Sequence, residues 1–235
     1  MKTINTPFAI IGLSEFIDGD LSFYRHSEDE NISKWNQLEI VKKNKLPQPC
    51  WLNQIHGKEI VISDGNTRHK LADADGIITN IPNNPIGIFT ADCAPIILFG
   101  KNFAAAIHSG WKGTKQNIAS QAINKLQNEF GVLPQDIMGI IGPCINQCCL
   151  ELGEEVYEEF IKENKEYEKF FVRRNKPHLD MRGLIRYQLI NAGVYDEQIM
   201  DINECTYCNV GGYFSYRRQK QRNGTMFSFV SLKNH

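Results

Sequence analysis

The stretch 90–113, TADCAPIILFGKNFAAAIHSGWKG, holds two apolar runs around which the rest of the chain can be interpreted. The runs, 94–99 and 103–107, are too short for ordinary helices and are bounded by turn-forming residues, which predicts two buried strands. The GKN connection between them is typical of an antiparallel hairpin. Because Cys93 opens the first run and His108 closes the second, we expect a thiol and an imidazole on the same rim of a sheet.

A second histidine, His56, follows the apolar segment 50–52 and so also lies just past a predicted strand. Two imidazoles and one thiolate are ligand types that zinc prefers, and three protein ligands leave the fourth tetrahedral position for water or substrate. The plainer explanation is that His56 and His108 are ordinary strand-end histidines and that Cys93 is a small buried hydrophobe. Spacing alone favours this plainer explanation.

Five short motifs follow one another along the chain: QIHG, TADCAPI, HSGWKG, IGPCI and FSYRR. In this order and at these separations they resemble the laccase-domain family, whose members are also described as polyphenol oxidases and as purine nucleoside phosphorylases. The resemblance covers nearly the whole chain. It implies a zinc site made by the His of Q-x-H-G, the Cys of A-D-C and the His of H-x-G-W, which are His56, Cys93 and His108 in this sequence.

The 235 residues, 42% of them hydrophobic and 10% aromatic, are enough to bury a packed core. Predicted strands and helices alternate without a glycine-rich dinucleotide fingerprint or a Walker loop, and no repeat or linker divides the chain. We therefore predict an α/β or α+β fold in one domain, residues 1–235, built on a mixed β-sheet flanked by helices.

The charge and hydropathy patterns point to small-molecule partners. A net charge of −1 gives no broad basic surface for nucleic acid. No apolar run approaches the roughly 20 residues of a membrane span, and the N-terminal PFAIIGL patch lacks a signal-peptide cleavage pattern. We expect a cytoplasmic protein with no nucleic-acid, membrane or obligate protein partner.

Seven cysteines, an odd number in a chain without a signal sequence, predict reduced thiols rather than disulfides. Besides Cys93, five lie in two groups: Cys144, Cys148 and Cys149, and then Cys205 and Cys208. These have the ligand type of a second, structural zinc site. However, the C-x-x-x-C spacing of the first group is unusual for zinc, and the resemblance accounts for Cys144 and Cys205 without a metal, so the sequence favours no second site.

Three aspartates lie near the candidate ligands. Asp73 and Asp75 form a pair that could serve in acid–base chemistry, although turn formation before the next glycine is the favoured explanation. Asp92 immediately precedes Cys93, so its carboxylate could orient one of the histidines or act as a general base near bound water.

The SGWKGT segment after His108 is a glycine-bracketed turn that opens a predicted helix with Thr114 as its N-cap. Free backbone N–H groups at a helix start favour an anion, and Lys112 adds a positive charge there. The resemblance implies an arginine at this position, so Lys112 keeps the charge but loses the bidentate fork. We expect Lys112 to help bind an anion; the alternative is a solvated turn residue.

Periodicity also predicts strands over 8–13 and 21–24 and a helix over 31–45. The FSYRR motif is predicted to lie on the first of a final pair of strands. Alternation along that strand would put Arg217 and Arg218 on opposite faces, so at most one would point into the site. We take Arg217 as a candidate phosphate contact.

The resemblance implies a zinc enzyme that cleaves the N-glycosidic bond of adenosine, inosine and methylthioadenosine with phosphate, and that could also deaminate adenosine. Zinc lowers the pKa of a bound water to about 7 and can polarise a leaving group. The deaminase signature of H-x-E with P-C-x-x-C is absent from the chain, so deamination would need a different set of residues.

Two other enzyme activities and one non-catalytic role remain open. Two histidines and one cysteine also suit a blue-copper centre, and hence a copper-dependent phenol oxidase. A laccase, however, needs many more histidines, and this chain has six with no H-x-H pair. A hydrolase that removes a wrongly incorporated amino acid from peptidoglycan precursors would use the same zinc-bound water. A pure binding role would require the ligands to be relics.

Overall fold

The computed structural model describes residues 1–67, 69–221 and 223–234, and over these ranges strands and helices alternate along the chain. The strands are β1 (Lys2–Asn5), β2 (Ala9–Leu13), β3 (Cys50–Asn53), β4 (Ile60–Ile62), β5 (His69–Asp73), β6 (Gly76–Thr79), β7 (Ile86–Thr90), β8 (Ala94–Gly100), β9 (Phe103–Ser109), β10 (Met138–Ile141), β11 (Phe171–Arg173), β12 (Pro177–Leu179), β13 (Ile199–Asp201) and β14 (Met226–Leu232). The α-helices are α1 (Glu28–Gln37), α2 (Glu39–Asn44), α3 (Trp111–Lys115), α4 (Ile118–Phe130), α5 (Glu154–Glu163), α6 (Met181–Asn191) and α7 (Tyr216–Gln219). Within the described ranges, none of these helices has the length and apolar character that crossing a membrane requires.

In the described part of the chain the strands form two large mixed sheets and one small one. The first sheet has the order β1-β2-β14-β7-β3-β5, the second has the order β13-β10-β8-β9-β6-β4, and β11 pairs with β12. The predicted α/β fold on mixed strands flanked by helices is confirmed. Where the sequence analysis expected one mixed sheet, the described strands form two large mixed sheets and one small sheet.

The predicted hairpin of β8 and β9 lies in the middle of the second sheet. Its antiparallel pairing runs from Ala94 opposite Ser109 to Gly100 opposite Phe103. Every residue of both strands is buried. The runs are continuously apolar because both faces of this hairpin are covered, one by the first sheet and the other by helices.

The core is layered as helix, sheet, sheet, helix. Ile97 of β8 packs between the sheets with side chains from β2, β3, β7 and β14. Its neighbour Ile96 points the other way and packs with residues of α4 and α6. On the outer face of the first sheet, Trp35 of α1 contacts Phe227 and Phe229 of β14 edge to face. Because these layers cover the sheet faces, a site can form where the strands end.

Two predictions near the N-terminus are wrong. The predicted strand at 21–24 is instead a 3-10 turn over Phe23–Arg25, whose Phe23 side chain packs with Trp35 and Phe227. The predicted helix over 31–45 begins earlier, where Ser27 forms a capping box with Glu30. It also breaks at Leu38, whose extended backbone separates α1 from α2.

Two further errors concern the candidate site. Thr114 is not an N-cap: α3 begins after Gly110, and the buried Thr114 hydroxyl donates a hydrogen bond to the Gly110 carbonyl. The FSYRR motif leads into α7 and not along a strand: Tyr216, Arg217 and Arg218 lie in the helix, and the Ser215 side chain caps it by accepting from the Arg218 N–H. The argument from strand alternation therefore does not apply to Arg217 and Arg218.

Candidate metal and substrate site

Three side chains of the types that bind zinc converge at one edge of the two sheets. In the β8–β9 register, Ala94 lies opposite Ser109, which brings Cys93 next to His108. His56 arrives from the turn after β3. The ligand atoms of His56, Cys93 and His108 all lie within 4.8 Å of one another, and the two imidazole rings meet edge to face with centroids 4.8 Å apart.

A buried carboxylate shapes the turn that carries His56. Asp75 is fully buried and accepts hydrogen bonds from the backbone N–H groups of Ile55, His56 and Gly57. These bonds hold His56 in the left-handed region, at φ 59°, a conformation that non-glycine residues seldom adopt. The turn therefore places the imidazole through backbone contacts.

The same carboxylate orients His108. The His108 Nδ1 atom lies 2.7 Å from Asp75 Oδ1, so its Nε2 atom is left to face a metal. The interpretation of Asp75 as a simple turn former is therefore wrong. Asp73 does not form a turn either: it is an exposed residue of β5 whose carboxylate accepts a hydrogen bond from the Asn53 side chain. The orienting role predicted for Asp92 belongs to Asp75.

Cys93, His108 and Asp75 form a network of interacting charges. Burial would raise the pKa of the Cys93 thiol, but the neighbouring His108 and His56 imidazoles outweigh it and lower that pKa to about 6. Burial would lower the pKa of His108, but Cys93 and Asp75 raise it to about 9. Burial likewise opposes ionisation of Asp75, yet His108 and the turn N–H groups keep its pKa below the usual range. The two shifts describe a Cys93 thiolate beside a protonated His108, so a metal ion binding near neutral pH would meet the thiolate directly and would displace a proton from His108.

The space beside the three ligands suits a metal ion. A Cβ atom added to Gly110 would lie 3.0 Å from Cys93 Sγ and 3.3 Å from His56 Cδ2. The backbone of Gly110 has ordinary angles, φ −79° and ψ 176°, so glycine is needed here for clearance and not for conformation. Two nitrogens, one sulfur and this clearance fit zinc with one open coordination position.

A cavity of about 440 Å³ opens over the three ligands, a size typical of small-molecule sites. Its aromatic lining residues are Tyr24, Trp51, Phe89, Trp111 and Tyr216. Flat rings with a few polar groups between them suit a planar heteroaromatic ligand. Gln54 fixes one wall, because its side-chain amide bonds both the N–H and the carbonyl of Phe89 at 2.7 Å.

Asp92 lies at the cavity and anchors α7. One of its carboxylate oxygens accepts from the Thr206 hydroxyl at 2.6 Å and the other from the Arg217 backbone N–H at 2.7 Å. Its φ of 98° is costly for a residue with a side chain, by about 1–3 kcal/mol, and such strain is concentrated at functional sites. One carboxylate oxygen therefore holds Thr206, and the other holds the first turn of α7.

The three cationic candidates have different surroundings. Arg217 lines the cavity, and its guanidinium donates to the carbonyls of Cys149 and Glu151. Arg218 donates to backbone carbonyls of its own neighbourhood, including that of Tyr213, which is a structural arrangement. Lys112 is exposed, with its Nζ atom 5.5 Å from the ring centroid of Trp111. The structure thus brings Asp92 and Arg217 to the cavity, whereas Lys112 does not line it and lies over Trp111, which does.

The sequence analysis named Asp75 together with Asp73 but favoured a turn-forming role, because the sequence does not show which of the two carboxylates is buried. Other residues of the site escaped it. Gln54 belongs to the QIHG motif and could have been singled out with His56. In the sequence, Trp51 and Phe89 look like ordinary strand residues. Both line the cavity, but only the pairing of distant strands brings them there.

Comparisons with known proteins agree with this geometry. Residues 11–233 match the family model described as multi-copper polyphenol oxidoreductase laccase. A purine nucleoside phosphorylase of Clostridium acetobutylicum is 37% identical over 230 residues, 93% of this chain and 95% of that protein. A protein named adenosine deaminase, from an unknown prokaryotic organism, is 33% identical over 168 residues, 69% of this chain and 64% of that protein.

A solved structure shares the fold. The crystal structure of the hypothetical protein YfiH of Bacillus licheniformis has a TM-score of 0.85 and 25% identity, covering 96% of this chain and 93% of that one. Together with the family match over nearly all residues, this likeness confirms the resemblance carried by the five motifs. The chain belongs to the multi-copper polyphenol oxidoreductase laccase family.

Proposed function

We propose that this protein is a zinc-dependent purine nucleoside phosphorylase acting on adenosine, inosine and methylthioadenosine. The observation that carries the proposal is the convergence of His56, Cys93 and His108 at the floor of an aromatic-lined cavity. The name of the relative from Clostridium acetobutylicum supports the same activity.

Zinc is the metal that the ligand set favours. Bound by His56, Cys93 and His108, zinc would supply Lewis-acid polarisation of a substrate atom, or a water of lowered pKa. The family description points to copper, and two histidines with one cysteine also suit a single copper ion. In the described ranges, however, the second cluster of metal-binding side chains holds four cysteines and no histidine, unlike a trinuclear copper centre.

The aromatic rings would bind the purine. A nine-atom heteroaromatic ring can stack or meet edge to face with Trp51, Phe89 or Trp111, and each such contact contributes about 0.5–1.5 kcal/mol beyond the buried area. The ribose would then lie closer to the three ligands, where polar side chains such as Asn53 and Gln54 line the cavity.

Arg217 is the proposed phosphate contact. Its guanidinium carries five N–H donors, of which the two bonds to main-chain carbonyls use only part, so donors remain for an anion. In phosphorolysis a phosphate oxygen forms a bond to C1′, the bond from C1′ to the purine nitrogen breaks, and the purine takes up a proton. Asp92 would act as a positioning residue for Arg217, and Lys112 would reach the anion from the cavity edge.

The direct test is to incubate the purified protein with each nucleoside, with and without phosphate, and to separate the products by chromatography. We expect free base and a sugar 1-phosphate only when phosphate is present. Cys93→Ser should lose the zinc ion of this site and turnover together. Full zinc content and full turnover in that variant would contradict the assigned site.

Adenosine deamination is the second candidate, favoured by the relative that bears that name. It predicts inosine from adenosine whether or not phosphate is present, so the same experiment separates the two reactions. If neither reaction occurs and a peptidoglycan precursor loses an amino acid instead, the hydrolase alternative replaces both.

A further inference from the structure

A second group of metal-binding side chains lies outside the cavity, where Cys148, Cys149, Cys205 and Cys208 meet; we name it the four-cysteine cluster. Its sulfur atoms all lie within 4.8 Å of one another. Cys149 and Cys208 are 3.3 Å apart, Cys148 and Cys149 3.4 Å, Cys148 and Cys208 3.7 Å, and Cys148 and Cys205 4.0 Å. All four are free thiols.

These distances match the edges of a tetrahedral metal site. With zinc–sulfur bonds of about 2.3 Å, a regular tetrahedron has sulfur–sulfur edges of about 3.8 Å. The observed spacings scatter around that value. Cys144, which the sequence grouped with these residues, is not part of the cluster: it is fully buried, and its sulfur faces the Arg182 guanidinium.

The local backbone favours a thiolate at the most buried member. The Asn146 N–H donates to Cys205 Sγ at 3.4 Å, and the N–H groups of Tyr207 and Cys208 point to the same sulfur. Backbone donors around a ligand sulfur are the kind of surrounding interaction that tunes a metal site.

Two chain segments meet at the cluster. Cys148 and Cys149 follow β10, Cys205 and Cys208 follow β13, and these two strands are parallel neighbours. Since parallel strands end at the same sheet edge, the four thiols converge although about 60 residues separate the pairs. Arg182 of α6 supports the junction by donating to Asn146 and to the main chain of the second segment.

The cluster lies directly behind the wall of the substrate cavity. The Cys149 carbonyl accepts from Arg217, and the Thr206 hydroxyl between Cys205 and Cys208 donates to Asp92. An ion that fixed the four thiols would therefore also fix the main chain that holds Arg217 and Asp92.

We propose that Cys148, Cys149, Cys205 and Cys208 bind a structural zinc ion, in addition to the metal held by His56, Cys93 and His108. Four protein ligands close the coordination sphere, which distinguishes a structural zinc site from a catalytic one. Thiolate sulfurs are the ligands that select zinc over hard cations such as magnesium or calcium. This inference does not depend on the proposed phosphorylase activity.

The test counts metal in protein purified under reducing conditions and loaded with zinc, using mass spectrometry of the metal. We expect two zinc ions per wild-type chain, one in the Cys148→Ser/Cys208→Ser variant, and one in Cys93→Ser. Both serines replace exposed thiols, so the fold should survive. Cys50→Ala, which removes a buried thiol from the other sheet, is the matched control and should keep two.

A measurement on the wild-type chain keeps the proposal testable if a variant fails to fold. Cobalt substituted for zinc should give the strong sulfur-to-cobalt absorption of a four-thiolate site, and Cys93→Ser should keep most of that absorption. The proposal is overturned if wild type binds one zinc that Cys93→Ser abolishes. A Cys149–Cys208 disulfide without metal, or red protein containing iron instead of zinc, would overturn it equally.

Discussion

Asp75 shows how one buried carboxylate can organise two candidate ligands at once. It contacts the ring of His108 and, through backbone N–H groups, sets the turn of His56. Neither histidine lies near it in sequence, at separations of 33 and 19 residues. Ligand-supporting contacts of this kind are worth about 10- to 100-fold in metal affinity.

Replacing Asp75 by Asn should weaken zinc binding about 10- to 100-fold, because the amide keeps the size but loses the charge that faces His108. In this variant the amide NH₂ group would also face the backbone N–H groups of the turn, from which Asp75 now accepts hydrogen bonds. Competition with a chromogenic chelator measures the zinc Kd. Asp73→Asn is the matched control, since Asp73 is exposed, and it should bind zinc as wild type does. Equal affinity in both variants would remove Asp75 from the metal site.

Replacing Gly110 by Ala should lower zinc affinity without lowering the Tm of the metal-free protein. The added Cβ would press on Cys93 Sγ at 3.0 Å and on His56 Cδ2 at 3.3 Å. The backbone angles of Gly110 suit alanine, however, and such replacements commonly stabilise a fold by about 0.4–1 kcal/mol. Chelator competition and thermal melting separate the two effects. Gly139→Ala, whose Cβ would make ordinary contacts from 3.6 Å, should leave zinc affinity unchanged.

The sequence could identify the candidate ligands but not the residues that support them. His56, Cys93 and His108 are recognisable because few residue types bind zinc and because their motifs resemble a family. Asp75 and Asp73 are both aspartates at a strand end, and only the pairing of β6 with β9 buries the first. Burial of this kind is set by contacts far apart in sequence.

The β8–β9 hairpin was predictable because its apolar runs, its short turn and its pairing all belong to one continuous stretch. The helix α7 was not predictable from the sequence. It has four residues, and it is held by Ser215 at its start and by Asp92, which is 125 residues away from Arg217. A short helix fixed by such a distant contact has no periodic signal of its own.

The different surroundings of α3 and α7 predict different consequences for their cations. Arg217→Met should raise the phosphate KM, or lower kcat/KM for phosphate, about 10- to 100-fold, since a charge-assisted contact is worth about 1.5–3 kcal/mol. Lys112→Met should cause a smaller loss, because Lys112 is exposed and does not line the cavity. Phosphate titrations at saturating nucleoside measure both, and zinc content should not change.

Arg218→Met is the structural control for this pair. Its guanidinium donates to the carbonyls of Thr206, Tyr207 and Tyr213, so its loss should lower Tm and leave the phosphate KM close to the wild-type value. If Lys112→Met lost as much phosphate affinity as Arg217→Met, the lysine would be a full phosphate ligand that turns into the cavity. Unchanged phosphate kinetics in Arg217→Met would remove that residue from the anion site.

The candidate metal site joins the two large sheets of the molecule. His56 follows β3 of the first sheet, His108 lies on β9 of the second, and Cys93 connects β7 of the first to β8 of the second. The sequence indicated strands and helices but not this division, because membership of a sheet depends on pairing between distant segments. An ion held by these three residues would bind only the assembled pair of sheets, so its affinity adds to the stability of the whole fold.

Removing the metal should therefore lower Tm. Zinc at 100 times its Kd stabilises a fold by about 2.7 kcal/mol, and in a chain of this size each kcal/mol corresponds to about 2–4 °C. The Cys148→Ser/Cys208→Ser variant is the protein to use, since the four-cysteine cluster then no longer contributes. We expect its chelator-treated form to melt about 5–11 °C below its zinc-loaded form. Adding His56→Ala should abolish the difference, and magnesium, which prefers oxygen ligands, should not restore Tm. A zinc-dependent shift that persisted without His56 would show that zinc stabilises the fold from another site.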